Sequence, residues 1–228
     1  MNLLAAIATC LTLTNPTTEC IEIQETYQHQ VGQLAISERE RDAISRVAYA
    51  EAANQGDDGL AAVVYTIINR LISGEFGNTV DEVLNAKNQF EPVTRAGGSW
   101  QKLPKASPVA QAKVDTILNL AIKGVLPDLT RGSLYFQNPT IVAQREKEGK
   151  VSKGLTHFGG STPTVVINDH AFYQQANFSK KKSEAVTLKK SFATRKARLA
   201  EEKKRFHTQY QSNWTIPTYA KTTDNEHF

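Results

Sequence analysis

SERERDAISRVAYAEAANQGDDGLAAVVYTIINRLISG, residues 37–74, holds the two clearest helical patterns of the chain. Ser37 and Glu40 form an S-x-x-E capping box with Ile36 ahead of it as a staple, so a helix starts here. It runs to about Ala53, with Ile44, Val47 and Ala48 on one face. Glu51 falls on that same stripe, seven residues after Ile44 and four after Val47, where a carboxylate is out of keeping. The turn Gly56-Asp57-Asp58-Gly59 opens a second helix, in which Leu60, Val63, Val64, Ile67, Ile68, Leu71 and Ile72 keep the 3.6-residue period until Gly74 stops it. This most hydrophobic helix is the expected centre of the core.

Downstream, Thr79 and Glu82 cap a short helix ending near Lys87, and residues 88–104, with Gly97-Gly98, read as loop. Ser107-Pro108 places a cap and an N1 proline before a helix through Lys123, closed by Gly124. Leu134-Tyr135-Phe136 reads as a short strand, and TVVINDHAFY (164–173) as a hairpin or bent strand around Asn168-Asp169. Helices first and a small sheet after define an α+β class. Upstream, residues 14–36 are polar and Gln-rich with Asn15-Pro16 as a breaker, and are expected to be a linker or poorly ordered arm. Residues 3–13, LLAAIATCLTL, have the softness of a leader or weak membrane-arrest segment but lack a positive start, so a buried N-terminal segment is the equal alternative. The organisation expected is an arm over 1–36, a catalytic domain over 37–177 and a tail over 178–228.

The chain has 228 residues, 40% of them hydrophobic and 22% charged, enough to bury a core and too apolar for wholesale disorder. No apolar run reaches the ~18–20 residues of a membrane span, and no tandem repeat is present. The net charge of +4 divides unevenly: residues 179–228 hold 12 Lys+Arg against 5 Asp+Glu, and residues 1–178 hold 15 against 18. Leu188, Phe192, Leu199 and Phe206 give the tail a thin apolar seam, so a basic helix over about 183–210 is expected. Such a tail either meets polyanions or keeps the protein soluble. Cys10 and Cys20, the two cysteines, are too few for a disulfide scaffold or a zinc ribbon, and loss of a leader would leave Cys20 a lone thiol.

Chemistry centres on Glu51. Burial penalises the ionised form, raises the pKa and keeps a proton available near neutral pH, which a general acid needs to protonate a leaving oxygen. The alternative is an edge glutamate paired with Arg46 or another base. Asp57 and Asp58 read as helix N-terminal acids. Gln89, Thr130 and Asn138 either bind polar groups of a substrate or satisfy backbone in turns. Tyr135, Phe136, Phe172 and Tyr173 form either a stacking floor for a ligand or core. Asn69 and Arg70 read as structural, and His170 as a cleft residue or a satisfied buried histidine. The five histidines (His29, His157, His170, His207, His227) make no H-E-x-x-H, and G-x-S-x-G, G-x-G-x-x-G and Walker signatures are missing.

Five blocks, in order, carry a resemblance: Tyr49-Ala50-Glu51-Ala52; GLAAVVYTIINR from Gly59 to Arg70; Asn88-Gln89-Phe90; Asp128-Leu129-Thr130-Arg131-Gly132 with Tyr135-Phe136-Gln137-Asn138-Pro139; and Ile167-Asn168-Asp169-His170-Ala171-Phe172-Tyr173. Together they resemble the SleB/CwlJ-type cell wall hydrolases, the spore cortex-lytic enzymes, over residues 37–174. The resemblance implies a lysozyme-like fold, mainly helical with a small antiparallel sheet, and a peptidoglycan substrate cut in its glycan strand by a lytic transglycosylase. It maps the catalytic acid onto Glu51 and brings forward Gln89, Phe90, Thr130, Tyr135, Asn138, His170 and Tyr173 as substrate-binding residues. No metal or cofactor is implied. A monomer acting in the cell envelope or periplasm is expected, in wall remodelling or phage lysis, with the tail on anionic envelope polymers or lipopolysaccharide and no nucleic-acid partner. A hydrolytic muramidase or glucosaminidase with a second carboxylate, and a non-catalytic wall-binding protein, are the alternatives.

Overall fold

The two periodic stretches form adjacent helices. In the computed structural model, which describes residues 2–11 and 13–176, Glu38–Ala52 is α3 and Gly56–Ser73 is α4. Both arms of the Ser37/Glu40 capping box are made, and Gly74 ends α4 in the left-handed region (φ 67°). Every residue from Leu60 to Arg70 is buried, so α4 is sealed on all sides, as a helix apolar all round requires. Ile44, Val47 and Ala48 of α3 pack into the same core. Val80–Asn85 (α5) takes the second capping box, and Pro108–Ile122 (α7) starts on the Ser107 cap and packs against α3 and α4. The region expected to be loop contains a short helix, Glu91–Arg95 (α6), and a 3-10 turn, Trp100–Lys102.

Tyr135–Gln137 (β1), Val165–Ile167 (β2) and His170–Tyr173 (β3) form an antiparallel sheet in the order β1-β3-β2. Ile167 pairs with His170, leaving Asn168-Asp169 as a two-residue hairpin turn, with Asn168 at φ 51°. Asn168 Nδ2 donates to the Gln55 carbonyl and Gln55 Oε1 accepts from the Asp169 N–H, which pins the hairpin to the start of α4. The sequence misses Pro139–Lys147 (α8), a helix with no buried residue that Asn138 caps. Helices packed beside a small antiparallel sheet make this a lysozyme-like α+β domain. The expected basic helix, like all of 177–228, lies outside the described residues.

The N-terminal region corrects the sequence reading. Residues 14–36 are not a linker: Thr18–Gly32 is a helix, α2, whose Tyr27 and Val31 are buried in the core. Its apolar seam is one residue wide on an otherwise polar helix. Leu3–Cys10 forms α1, and Leu4 and Ile7 enter the core. Cys10 and Cys20 form a disulfide across ten residues, a crosslink worth about 2–3 kcal/mol by loop closure. The Leu4 carbonyl accepts from Gln174 Nε2, and a Cβ on Gly132 (φ 74°) would come within 2.8 Å of that oxygen. Only glycine permits this approach of the 128–134 loop to α1. No helix among the described residues is long and apolar enough to cross a membrane.

Candidate active site

Glu51 lies in the last turn of α3, where the stripe that carries Ile44 and Val47 turns its carboxyl inward. Its Oε1 is buried and has no hydrogen-bond partner in the protein. From α6, the first N–H, that of Glu91, favours the ionised carboxyl. That N–H belongs to a helix N-terminus and has no acceptor within its own helix. Burial pushes the Glu51 pKa up to about 7, and the negative charge of Glu91 adds to the rise. The Glu91 N–H, Arg70 and Arg95 pull the other way without overcoming it. The Arg46 alternative fails: Arg46 pairs with Asp42 at 2.7 Å and donates to the Leu103 carbonyl at 3.2 Å.

Arg70, whose charge acts on Glu51, is fully buried near the end of α4. Its Nε donates to the Leu134 carbonyl at 2.8 Å and one Nη to Gln89 Oε1 at 3.2 Å. The guanidinium is held between the rings of Phe76 (4.5 Å) and Phe90 (4.7 Å). Its other nitrogen, Nη1, is buried with no partner. Burial lowers its pKa to about 10, which leaves it charged at neutral pH. Sequence reasoning took Arg70 as structural. The signal was available, since Arg70 sits seven residues after Val63 and three after Ile67, on the buried stripe of α4 as Glu51 is on that of α3.

Glu91 was also missed, hidden in a segment read as loop. Its carboxylate meets Arg145 of α8 at 3.0 Å and pairs with Arg95. Partial burial works against its charge, but Arg145 and Arg95 outweigh it and hold the group below the usual carboxylate range. The two carboxyls are therefore displaced in opposite directions, Glu51 upward and Glu91 downward.

The remaining expected residues separate into two groups. Gln89 and Tyr135 gather around Arg70: Gln89 accepts from its guanidinium, while Tyr135 acts electrostatically on it and packs edge-on against Phe76 at 5.5 Å. His170 is buried against Phe136 (5.3 Å) with Nδ1 unpartnered, and burial lowers its pKa. Thr130 is fully buried instead; its hydroxyl donates to Asp128 and accepts from Asn69, so it fixes a loop. Asn138 spends its side-chain oxygen on the α8 cap. Phe90 and Tyr173 are core residues with no exposed surface, and the Tyr173 hydroxyl meets His157 Nδ1 at 2.7 Å. For Thr130, Asn138, Phe90 and Tyr173, backbone and packing account for the side chain. A separate apolar hollow of about 570 Å³ along α7 is lined by Pro108, Val109 and Ile117; its charged residues, Asp57 and Lys113, pair with each other at 2.6 Å.

This lysozyme-like domain carries one desolvated carboxyl, Glu51, and a buried arginine, Arg70, each of which acts on the other's charge. The cell wall hydrolase family model matches residues 54–173, more than half of the chain, beginning just after Glu51. The chain belongs to that family, the SleB/CwlJ type, and carries a peptidoglycan-degrading domain that acts on the cell envelope. No curated protein and no solved structure matches it.

Proposed function

We propose that the domain cuts the glycan strand of peptidoglycan between MurNAc and GlcNAc as a lytic transglycosylase, with Glu51 as its one acid and base. Glu51 passes its proton to the glycosidic oxygen, the C1–O bond breaks, and the GlcNAc side leaves as an alcohol. The sugar's own C6 hydroxyl then bonds to C1 and returns its proton to Glu51, giving 1,6-anhydro-MurNAc without consuming water. The supporting observation is the sealed, unpartnered Oε1, which leaves a proton on a group near neutral pH with nothing in the protein to take it. The neighbouring carboxylate of Glu91 has both oxygens engaged by arginines, which favours a one-carboxylate route.

The second reading is hydrolysis, with Glu91 as the ionised partner of a protonated Glu51. It rests on the opposite displacement of the two pKa values. Digestion of purified peptidoglycan in H₂¹⁸O followed by mass spectrometry tests both. Anhydro ends without ¹⁸O are expected; ¹⁸O at new reducing ends would assign hydrolysis. Glu51→Gln should lose about 10²–10⁴-fold in wall clearing while still binding walls. Unaltered clearing would refute the assignment of Glu51.

A further inference from the structure

We propose that Arg70 is a positioning residue for the acid, its fixed positive charge stabilising the Glu51 carboxylate that remains once the proton has been given to the leaving oxygen. The inference rests on the proposed role of Glu51 and adds what governs its return to the starting state.

Three consecutive residues make the connection. Gln89 accepts a hydrogen bond from Arg70, the Phe90 ring lies 4.7 Å from the guanidinium carbon, and the next residue, Glu91, bears on the charge of Glu51. The segment 89–91 therefore runs from the cation to the surroundings of the acid, and the two groups act electrostatically on each other. The placement is rigid, with a ring on either side and the Leu134 carbonyl fixing Nε. It is also costly. A fully buried guanidinium with an unpartnered Nη1 gives up hydration that packing alone does not return. A purely structural role would be met by a side chain with every donor paired.

The charges around the acid divide into roles. From α6, Glu91 opposes ionisation of Glu51 and Arg95 favours it, but Arg95 is exposed, shared with Glu91 and screened by solvent. From α4, Arg70 is removed from solvent and is screened by salt much less than Arg95. Tyr135 of β1 faces Arg70 and supports its charge. Burial thus keeps the proton on Glu51 in the resting enzyme, and Arg70 limits the cost of losing it. No atom leaves Arg70 in the cycle; the proton moves from Glu51 to the glycosidic oxygen and returns from the attacking hydroxyl.

The test is the pH profile of kcat/KM for Arg70→Gln on purified peptidoglycan, with Arg70→Lys as the charge-conserving variant. Arg70→Gln should move the alkaline limb up by about one pH unit and lower kcat, and Arg70→Lys should restore the limb toward that of the unmodified enzyme. A limb unmoved in folded Arg70→Gln would overturn the proposal, because a merely structural arginine changes the active fraction and not the pH at which activity is lost. Should Arg70→Gln not fold, the unmodified protein decides: the guanidinium ¹⁵N resonances of Arg70 should follow Glu51 with a midpoint of about 7 and lose that step in Glu51→Gln. No step at that pH would overturn it. Full activity of Glu51→Gln would instead remove the reading of the acid itself, so the two failures are distinct.

Discussion

Asn69 and Arg70 are neighbours on one helix, and they enter two buried polar regions of opposite character. On the Asn69 side, Asp128 is saturated: Oδ1 accepts from the N–H and hydroxyl of Thr130 (2.8 and 2.7 Å), and Oδ2 from the Gly132 N–H (2.7 Å), Asn69 (3.0 Å) and Tyr27 (3.2 Å). On the Arg70 side, Glu51 Oε1, Arg70 Nη1 and His170 Nδ1 are buried without partners. A fully paired network holds structure together, here joining α2, α4 and the 128–134 loop. Unpaired buried groups lower stability and are retained where a ligand or a proton transfer uses them. Proximity in sequence does not distinguish the two regions; hydrogen-bond bookkeeping does.

The largest effect expected on stability comes from breaking the paired side. Asp128→Ala removes the shared acceptor of five donor groups in the interior and should lower the urea-unfolding free energy by about 3 kcal/mol or more. A loss below about 1 kcal/mol would mean that the network contributes little. On the unpaired side the effect is smaller and depends on pH. The folded pKa of Glu51 (about 7) lies above its ordinary 4.5, so between these values the native state holds a proton that the unfolded chain has released. Stability from this group is therefore complete below about pH 4.5 and lost as pH rises to about 7. Relative to Glu51→Gln, which does not titrate, the unmodified protein should lose about 2–3 kcal/mol from pH 5 to pH 8. Parallel curves for the two proteins would erase the contrast between the regions.

The sequence reading reached one of these regions better than the other. The α3–α4 pair, both capping boxes, the α7 start and the hairpin at Asn168-Asp169 follow from local rules, and the structure has them where those rules put them. Glu51 was visible because a charge on an apolar stripe breaks a period. Arg70 broke the neighbouring period in the same way and was passed over as a helix end. The α2 helix was illegible because its buried side reduces to Cys20, Tyr27 and Val31 within a polar run. The Cys10–Cys20 crosslink depends on α1 and α2 meeting in space, which no count of cysteines discloses. Thr130 and Asn138 have motif positions suited to sugar contacts, but only coordinates reveal that neighbouring backbone and side-chain groups already occupy their oxygens. Glu91 was invisible because it lies in a stretch read as loop and bears on Glu51 only once α6 packs against α3.

The most direct measurement is a ¹³C NMR titration of the Glu51 carboxyl, assigned by the signal that Glu51→Gln removes. A midpoint of about 7 is predicted. A midpoint at the ordinary glutamate value near 4.5 would contradict the account, because an acid already ionised at neutral pH has no proton to donate.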